Sequence, residues 1–172
     1  RAFARQESVP QTRVDVTRVV ASALELTQTY VRDAGVALEY GPANAPVWVR
    51  GGEVRLGQVF VNLITNAVDA MGGSECKRLT ITVDPADPVR VTFRDTGPGI
   101  EMPDKVFDPF YTTKSVGNAT EGTMSGMGLG LSISYGIVQS FGGDIRGSNL
   151  DAGGAMFSVT LESADTGEEG QA

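Results

Sequence analysis

The apolar positions of this chain follow two kinds of spacing, and the spacing changes at turn-forming residues. Val19, Val20, Ala23, Leu24, Leu26 and Val31 form one stripe at helical spacing, predicting a helix that runs to about residue 34. Asp15 or Thr17 can cap its start, and Gly35 can stop it. Leu56, Val59, Phe60, Leu63, Ile64, Ala67 and Met71 predict a longer helix over about 52–71, ended by Gly72-Gly73. A third helix is expected over about 129–141, broken by Gly142-Gly143. Short β-type runs occupy 13–16, 36–40 and 47–50. Residues 79–83 and 89–93 alternate apolar and polar around a turn at 84–88, which predicts an antiparallel hairpin, and runs at 144–148 and 155–161 close the pattern. Three helices with five to seven strands, several adjacent in sequence, predict an α+β fold. It is a two-layer sandwich with the helices on one face of a mixed sheet of five or more strands.

Three segments fall outside this pattern. Residues 1–10 (RAFARQESVP) read as the end of a helix broken at Pro10. Residues 95–127 are rich in Gly, Thr, Ser and Asp without periodicity, and so long a connection inside one domain is usually functional. The end, ESADTGEEGQA, is acidic and lacks core residues, so disorder is expected there. A length of 172 residues suits one domain. Starting at Arg1 rather than Met, the chain is expected to be a piece of a longer protein.

Charge and composition then exclude some chemistry. The net charge of −7 argues against nucleic acid as a partner, because phosphate contacts need clustered Lys and Arg. Cys76 is the single cysteine, so neither an internal disulfide nor a cysteine zinc site is possible. No apolar run approaches the length of a membrane span. The chain has no histidine, which removes every mechanism that needs an imidazole base, ligand or phosphoacceptor of its own.

Four constellations carry candidate chemistry. On the longer helix, Gln58, Asn62 and Asn66 step by four, and Asp69 extends the stripe. Asn is a poor helix former, so two of them a turn apart need a reason. They either face solvent or cap a loop, or they offer neutral oxygens to a hard cation such as Mg²⁺ and its phosphates. At a strand end, Asp95-Thr96-Gly97-Pro98-Gly99-Ile100 combines an acceptor-only carboxylate with glycines that admit a flat ligand close to the backbone. An ordinary Asp/Gly turn has the same composition. At a loop-to-helix junction, Gly126, Gly128 and Gly130 bare backbone N–H groups at a positive helix end, as a phosphate cradle requires. A dinucleotide-binding fingerprint should directly follow a strand, and a Walker A loop should end in Lys-Ser/Thr, and neither condition holds. Finally, Phe107-Asp108-Pro109-Phe110-Tyr111-Thr112-Thr113-Lys114 sets three aromatics beside a point charge suited to a terminal phosphate, although core aromatics and a solvated Lys would read the same way.

Taken in order, these stretches resemble the boxes of histidine kinases: GQVFVNLITNAVDAM (57–71) the N box, DTGPGI (95–100) the G1 box, FDPFYTTK (107–114) the F box and GMGLGLSIS (126–134) the G2 box. The resemblance spans about 14–161 and implies the Bergerat-type nucleotide-binding fold shared with gyrase, chaperone and mismatch-repair ATPases. It implies Asn66 as the Mg²⁺ ligand, Asn62 as its phosphate-side neighbour, and Asp95 as the adenine-binding carboxylate with Gly97 and Gly99 shaping the turn. Gly128, Leu129, Gly130 and Leu131 match the backbone donors to the phosphates, and Lys114 the charge that completes catalysis with Asn62 and Asn66. Ile100, Phe107, Thr113 and Gly126 are placed at the nucleotide by the same motifs. Residues 111–127 correspond to the ATP lid. The ATPase branches carry a Glu where this chain has Asn62. An amide cannot act as a general base, so the resemblance implies that ATP is held for an external nucleophile.

The implied organisation is the end of a dimerisation and phosphoacceptor hairpin at 1–12, the ATP-binding domain at 13–161, and an acidic tail at 162–172. The wording is closest to sensors of the nitrogen-regulation and C4-dicarboxylate-transport type. ATP and Mg²⁺ are the implied cofactors. The implied partners are the histidine hairpin of the full-length kinase and a response regulator. The expected setting is the cytoplasmic side of an inner-membrane sensor, with the piece itself monomeric. Asp69 departs from the Lys or Arg of many relatives, which removes one possible phosphate contact. Two other readings are an anti-sigma-type serine kinase and a nucleotide-gated interaction module without transfer activity.

Overall fold

The computed structural model describes residues 11–41, 43–108 and 130–164. Its elements run β1 (Thr12–Asp15), α1 (Val16–Leu26), α2 (Gln28–Asp33), β2 (Ala37–Tyr40), β3 (Trp48–Gly51), α3 (Glu53–Ala70), β4 (Arg78–Asp84), β5 (Val89–Asp95), a 3₁₀ turn (Pro103–Lys105), α4 (Gly130–Ser140), β6 (Asp144–Asn149) and β7 (Ala155–Leu161). Five strands form one sheet in the order β2-β4-β5-β7-β6. Only β2 and β4 are parallel, so the sheet is mixed as the element count implied. A separate antiparallel ribbon joins β1 and β3.

The helices cover one face of the sheet, with α3 between α1 and α4. Its Leu56, Phe60, Leu63 and Ile64 are buried, and the Phe60 ring meets Phe93 of β5 at 5.7 Å between centroids. Large side chains buried this completely contribute roughly 1.5–3 kcal/mol each relative to exposure. That is why the densest apolar stripe in the sequence became the central helix. Gly52 stands at the N-cap of α3 in extended conformation and Met71 at its C-cap. Asp15 caps α1 by accepting the Thr17 N–H at 3.1 Å, and the same oxygen accepts Val47 N–H from the strand leading to β3.

Two expectations change. The first helix does not run unbroken to residue 34: it ends at Leu26, and α2 restarts at Gln28. At the break, the buried Thr27 hydroxyl donates to the Ala23 carbonyl at 2.8 Å, a back-bond of the kind that bends helices. At the other end, ordered pairing continues three residues past 161. Val49 bridges Ser163, and Ala164 is buried with its N–H on the Trp48 carbonyl. The rest of the tail, like the helix end in 1–10, lies outside the described residues. No helix among the described residues is long and apolar enough to cross a membrane.

Candidate functional site

α3 carries the site along its length. Asn62 and Asn66 are both half-buried, one turn apart. The Asn62 amide donates to the buried Ser134 hydroxyl of α4 at 3.0 Å. A Cβ on Gly130 would stand 2.7 Å from Asn62 Oδ1, so a side chain there would displace the Asn62 amide from its present place beside α4. Asn66 lies about 6 Å further along the helix at 1.5 Å per residue. Beyond it, at the helix end, a Cβ on Gly97 would lie 3.1 Å from the Ala70 carbonyl. Gly130 and the Asp95 loop thus meet α3 at Asn62 and at Ala70, with Asn66 between them. Asp69, also on the stripe, accepts a hydrogen bond from Tyr30 of α2. That bond and burial push the Tyr30 phenol up to about 12, burial being the larger cause.

The Asp95 carboxylate is 4% exposed. Its Oδ1 accepts the Gly97 N–H at 2.9 Å and the Ala155 N–H at 3.2 Å. No described donor reaches Oδ2. Burial pushes the carboxyl above its ordinary range, and the two backbone donors partly offset the shift. Thr96 seats the start of the turn by accepting from Arg78 N–H at 3.0 Å and donating to the Cys76 carbonyl at 2.8 Å. Gly99 needs its φ of +94°. The two peptide groups of Ile100 face Asn149 rather than the site: its N–H donates to Asn149 Oδ1 at 2.6 Å, and its carbonyl accepts from Nδ2 at 3.0 Å.

Phe107 is an aromatic anchor, stacked on Tyr135 of α4 at 5.4 Å and edge-on to Phe157 of β7 at 6.0 Å. Leu131 packs against the core from the first turn of α4. Thr113, Lys114, Gly126, Gly128 and Leu129 lie outside the described residues. Next to Asn62, Gly130 and Ser134 opens a groove of about 610 Å³ between α1, α3 and α4, walled by Val19, Leu26, Val54 and Ile133. Among the described residues no group of three His, Cys, Asp or Glu could hold a metal ion.

Residues 51–165 match the family model for histidine kinase-, DNA gyrase B-, and HSP90-like ATPases. The chain belongs to this family. Within it the sensor histidine kinases recur. The C4-dicarboxylate transport sensor protein DctB of Pseudomonas aeruginosa is 32% identical over 165 residues, 94% of this chain and 26% of DctB. The chain therefore spans about a quarter of that relative. The catalytic domain of histidine kinase ThkA, solved without nucleotide, superposes with a TM-score of 0.75 at 27% identity, covering 91% of this chain and all of that one. Full-length ShkA, solved in complex with AMPPNP, superposes at 0.70 with 25% identity, covering 94% of this chain and 34% of ShkA. This is a histidine-kinase catalytic domain in fold and motifs, and the family binds ATP.

Sequence reasoning did not find Ser134, Asn149 or Gly154. Ser134 had a signal, a polar residue on the inward side of a helix otherwise lined with Ile137 and Val138. Gly154 holds φ +98°, and a Cβ there would stand 2.0 Å from the Asp95 carbonyl oxygen. A Gly154→Ala replacement should destabilise the domain by about 3 kcal/mol, combining overpacking with strained backbone. Urea unfolding measures the loss, and a wild-type midpoint would show that the contact yields.

Proposed function

We propose that this domain binds MgATP and passes the γ-phosphoryl group to a histidine on a separate helical hairpin of the full-length kinase, which then serves a response regulator. The observation that carries the reading is Asn62. It stands at the Gly130 end of the stripe, bonded to Ser134, and offers an amide where a water-activating carboxylate would be needed for hydrolysis. The chain has no histidine, so an acceptor imidazole must come from elsewhere.

Each residue then has a task. Asp95 Oδ2 accepts the exocyclic amine of adenine. The backbone N–H groups of Gly128, Leu129, Gly130 and Leu131 receive the phosphates, and Lys114 meets the terminal one. The Asn66 carboxamide oxygen would be the protein ligand to Mg²⁺. This suits a cation that keeps waters and relies on the nucleotide's own phosphates instead of an acidic cage. The cation, when bound, neutralises phosphate charge. The attacking imidazole nitrogen forms a bond to the γ-phosphorus as the bond to the β,γ-bridging oxygen breaks, and ADP leaves with that electron pair. Catalysis is then chiefly positioning and charge stabilisation.

The acceptor has a place to arrive. Leu26 is 77%, Val54 84% and Ile133 52% exposed around the groove that ends at Asn62, which suits the apolar stripe of a helix. In this reading 1–12 finishes the dimerisation hairpin, the isolated piece is monomeric, and the domain works on the cytoplasmic side of a membrane sensor. Mixing the chain with labelled MgATP and a hairpin bearing the acceptor histidine should give acid-labile, base-stable label on the hairpin and none on the chain. Well-folded protein that binds ATP but leaves the hairpin unlabelled would remove the kinase reading in favour of a binding module. Acid-stable label on a serine would redirect it to a serine kinase.

A further inference from the structure

We propose that Asn149, at the end of β6, is a positioning residue for the adenine side of the site. Its carboxamide closes a two-point ring on Ile100, accepting the Ile100 N–H at 2.6 Å and donating to the Ile100 carbonyl at 3.0 Å, across 49 residues of sequence. The same side chain fills the space over Gly99, where a Cβ would stand 2.8 Å from Asn149 Oδ1. Gly99 itself sits at φ +94°, one of several conformations open to a glycine, so an outside brace narrows what this position samples.

Two further contacts hold this loop from the β6–β7 connection. Ala155 N–H donates to Asp95 Oδ1 at 3.2 Å, and Gly154 approaches the Asp95 carbonyl so closely that no side chain fits between them. The turn thus grips the loop at both ends, Asp95 and Ile100. Asn149 is exposed, and its side-chain hydrogen bonds among the described residues go to Ile100 and not to Asn62, Asn66 or Gly130. Its effect is therefore confined to how often residues 96–100 hold the shape that leaves Asp95 Oδ2 facing a ligand. A loop already held in the binding shape loses less conformational freedom when the ligand arrives.

The inference rests on the nucleotide reading, and the test separates the two. Calorimetric titration of the wild-type chain with MgATP and with ADP tests the nucleotide reading, and absence of binding there sinks that reading alone. Amide hydrogen exchange on the ligand-free chain tests the brace without any nucleotide. In Asn149→Ala, exchange at Gly97 and at residues 99–101 should rise while protection in α3 and β5 and the thermal midpoint stay at wild-type values. Affinity for ATP and ADP should fall by the same factor, about 10-fold, equivalent to about 1.4 kcal/mol. Asn149→Asp keeps the acceptor for Ile100 N–H and should recover part of the affinity. Unchanged exchange and affinity in both variants would overturn the proposal. So would a drop confined to ATP, because that assigns the effect to the phosphate side. If Asn149→Ala does not fold, the Asp variant decides alone: wild-type exchange and affinity there would also overturn it.

Discussion

An Asp95→Asn variant should lose adenine-nucleotide binding while its ligand-free form becomes as stable as the wild type or more so. The two backbone donors, Gly97 and Ala155 N–H, both converge on Oδ1. An asparagine must keep its oxygen there, because turning the amide over would set donor against two donors. Its Nδ2 then replaces Oδ2 and meets the amine of adenine with another donor. Loss of a charge-assisted bond together with that clash predicts a fall in affinity of roughly 100-fold, or about 2.7 kcal/mol. Stability moves the other way. Burial raises the Asp95 pKa, so the fold favours the neutral acid. The contribution of such a group is present below its ordinary pKa and is lost as pH rises through the raised value. At neutral pH the charged carboxylate is thus a liability that Asn removes. The same shift predicts that wild-type affinity for ATP declines on acidification at a higher pH than an ordinary carboxylate would dictate, and that the Asn variant lacks this step. Calorimetry at several pH values and thermal unfolding check both halves. Wild-type affinity in Asp95→Asn would remove Asp95 from the adenine site.

How much of this could be read from the sequence depends on how local each feature is. α3 and the β4–β5 hairpin were legible because their apolar period and their turns are contained in short windows. Asp95 and Gly97 were legible for the same reason: carboxylate, turn and glycine lie within three residues. The break at Thr27 was not, because a threonine inside an apolar stripe carries no sign of whether its hydroxyl will turn back on Ala23. The β1–β3 ribbon was hidden because Thr12 pairs with Gly51 across two helices and a strand. Asn149 and Gly154 were hidden more deeply. Both look like ordinary turn residues, and only the assembled sheet brings them to Ile100 and Asp95. Asp69 was read as the place of a lost phosphate contact, and the fold adds that it is the acceptor for Tyr30. The motifs pointed to the residues proposed to meet a nucleotide, whereas the residues that hold those motifs in shape emerged only from tertiary contacts.

An Asn66→Ala variant should separate nucleotide holding from metal-dependent transfer. Asn66 lies between Asn62 in the middle of α3, where Gly130 packs and phosphates are expected, and the Ala70 end, where the Asp95 loop packs. In the proposed reading its amide meets the phosphate chain rather than the base. Truncation removes an oxygen without touching Asp95 or Gly130. ADP binding without Mg²⁺ should therefore remain near wild type, while the gain in affinity that Mg²⁺ confers on ATP should disappear. Transfer to the hairpin should fall on the order of 100-fold, the scale seen when one preorganised polar contact to developing charge is removed. Asn66→Asp supplies an oxygen again and should restore part of the Mg²⁺ dependence, with a shift in the metal concentration required because a carboxylate binds hard cations more strongly than an amide. Asn62→Ala should behave differently. It leaves the Ser134 hydroxyl without its donor and opens space beside Gly130, so it should weaken packing between α3 and α4 and slow transfer while the Mg²⁺ response of binding persists. If Asn66→Ala keeps the full Mg²⁺ response and Asn62→Ala loses it, the metal ligand is Asn62, and the division of labour along the helix is the reverse of the one argued from these contacts.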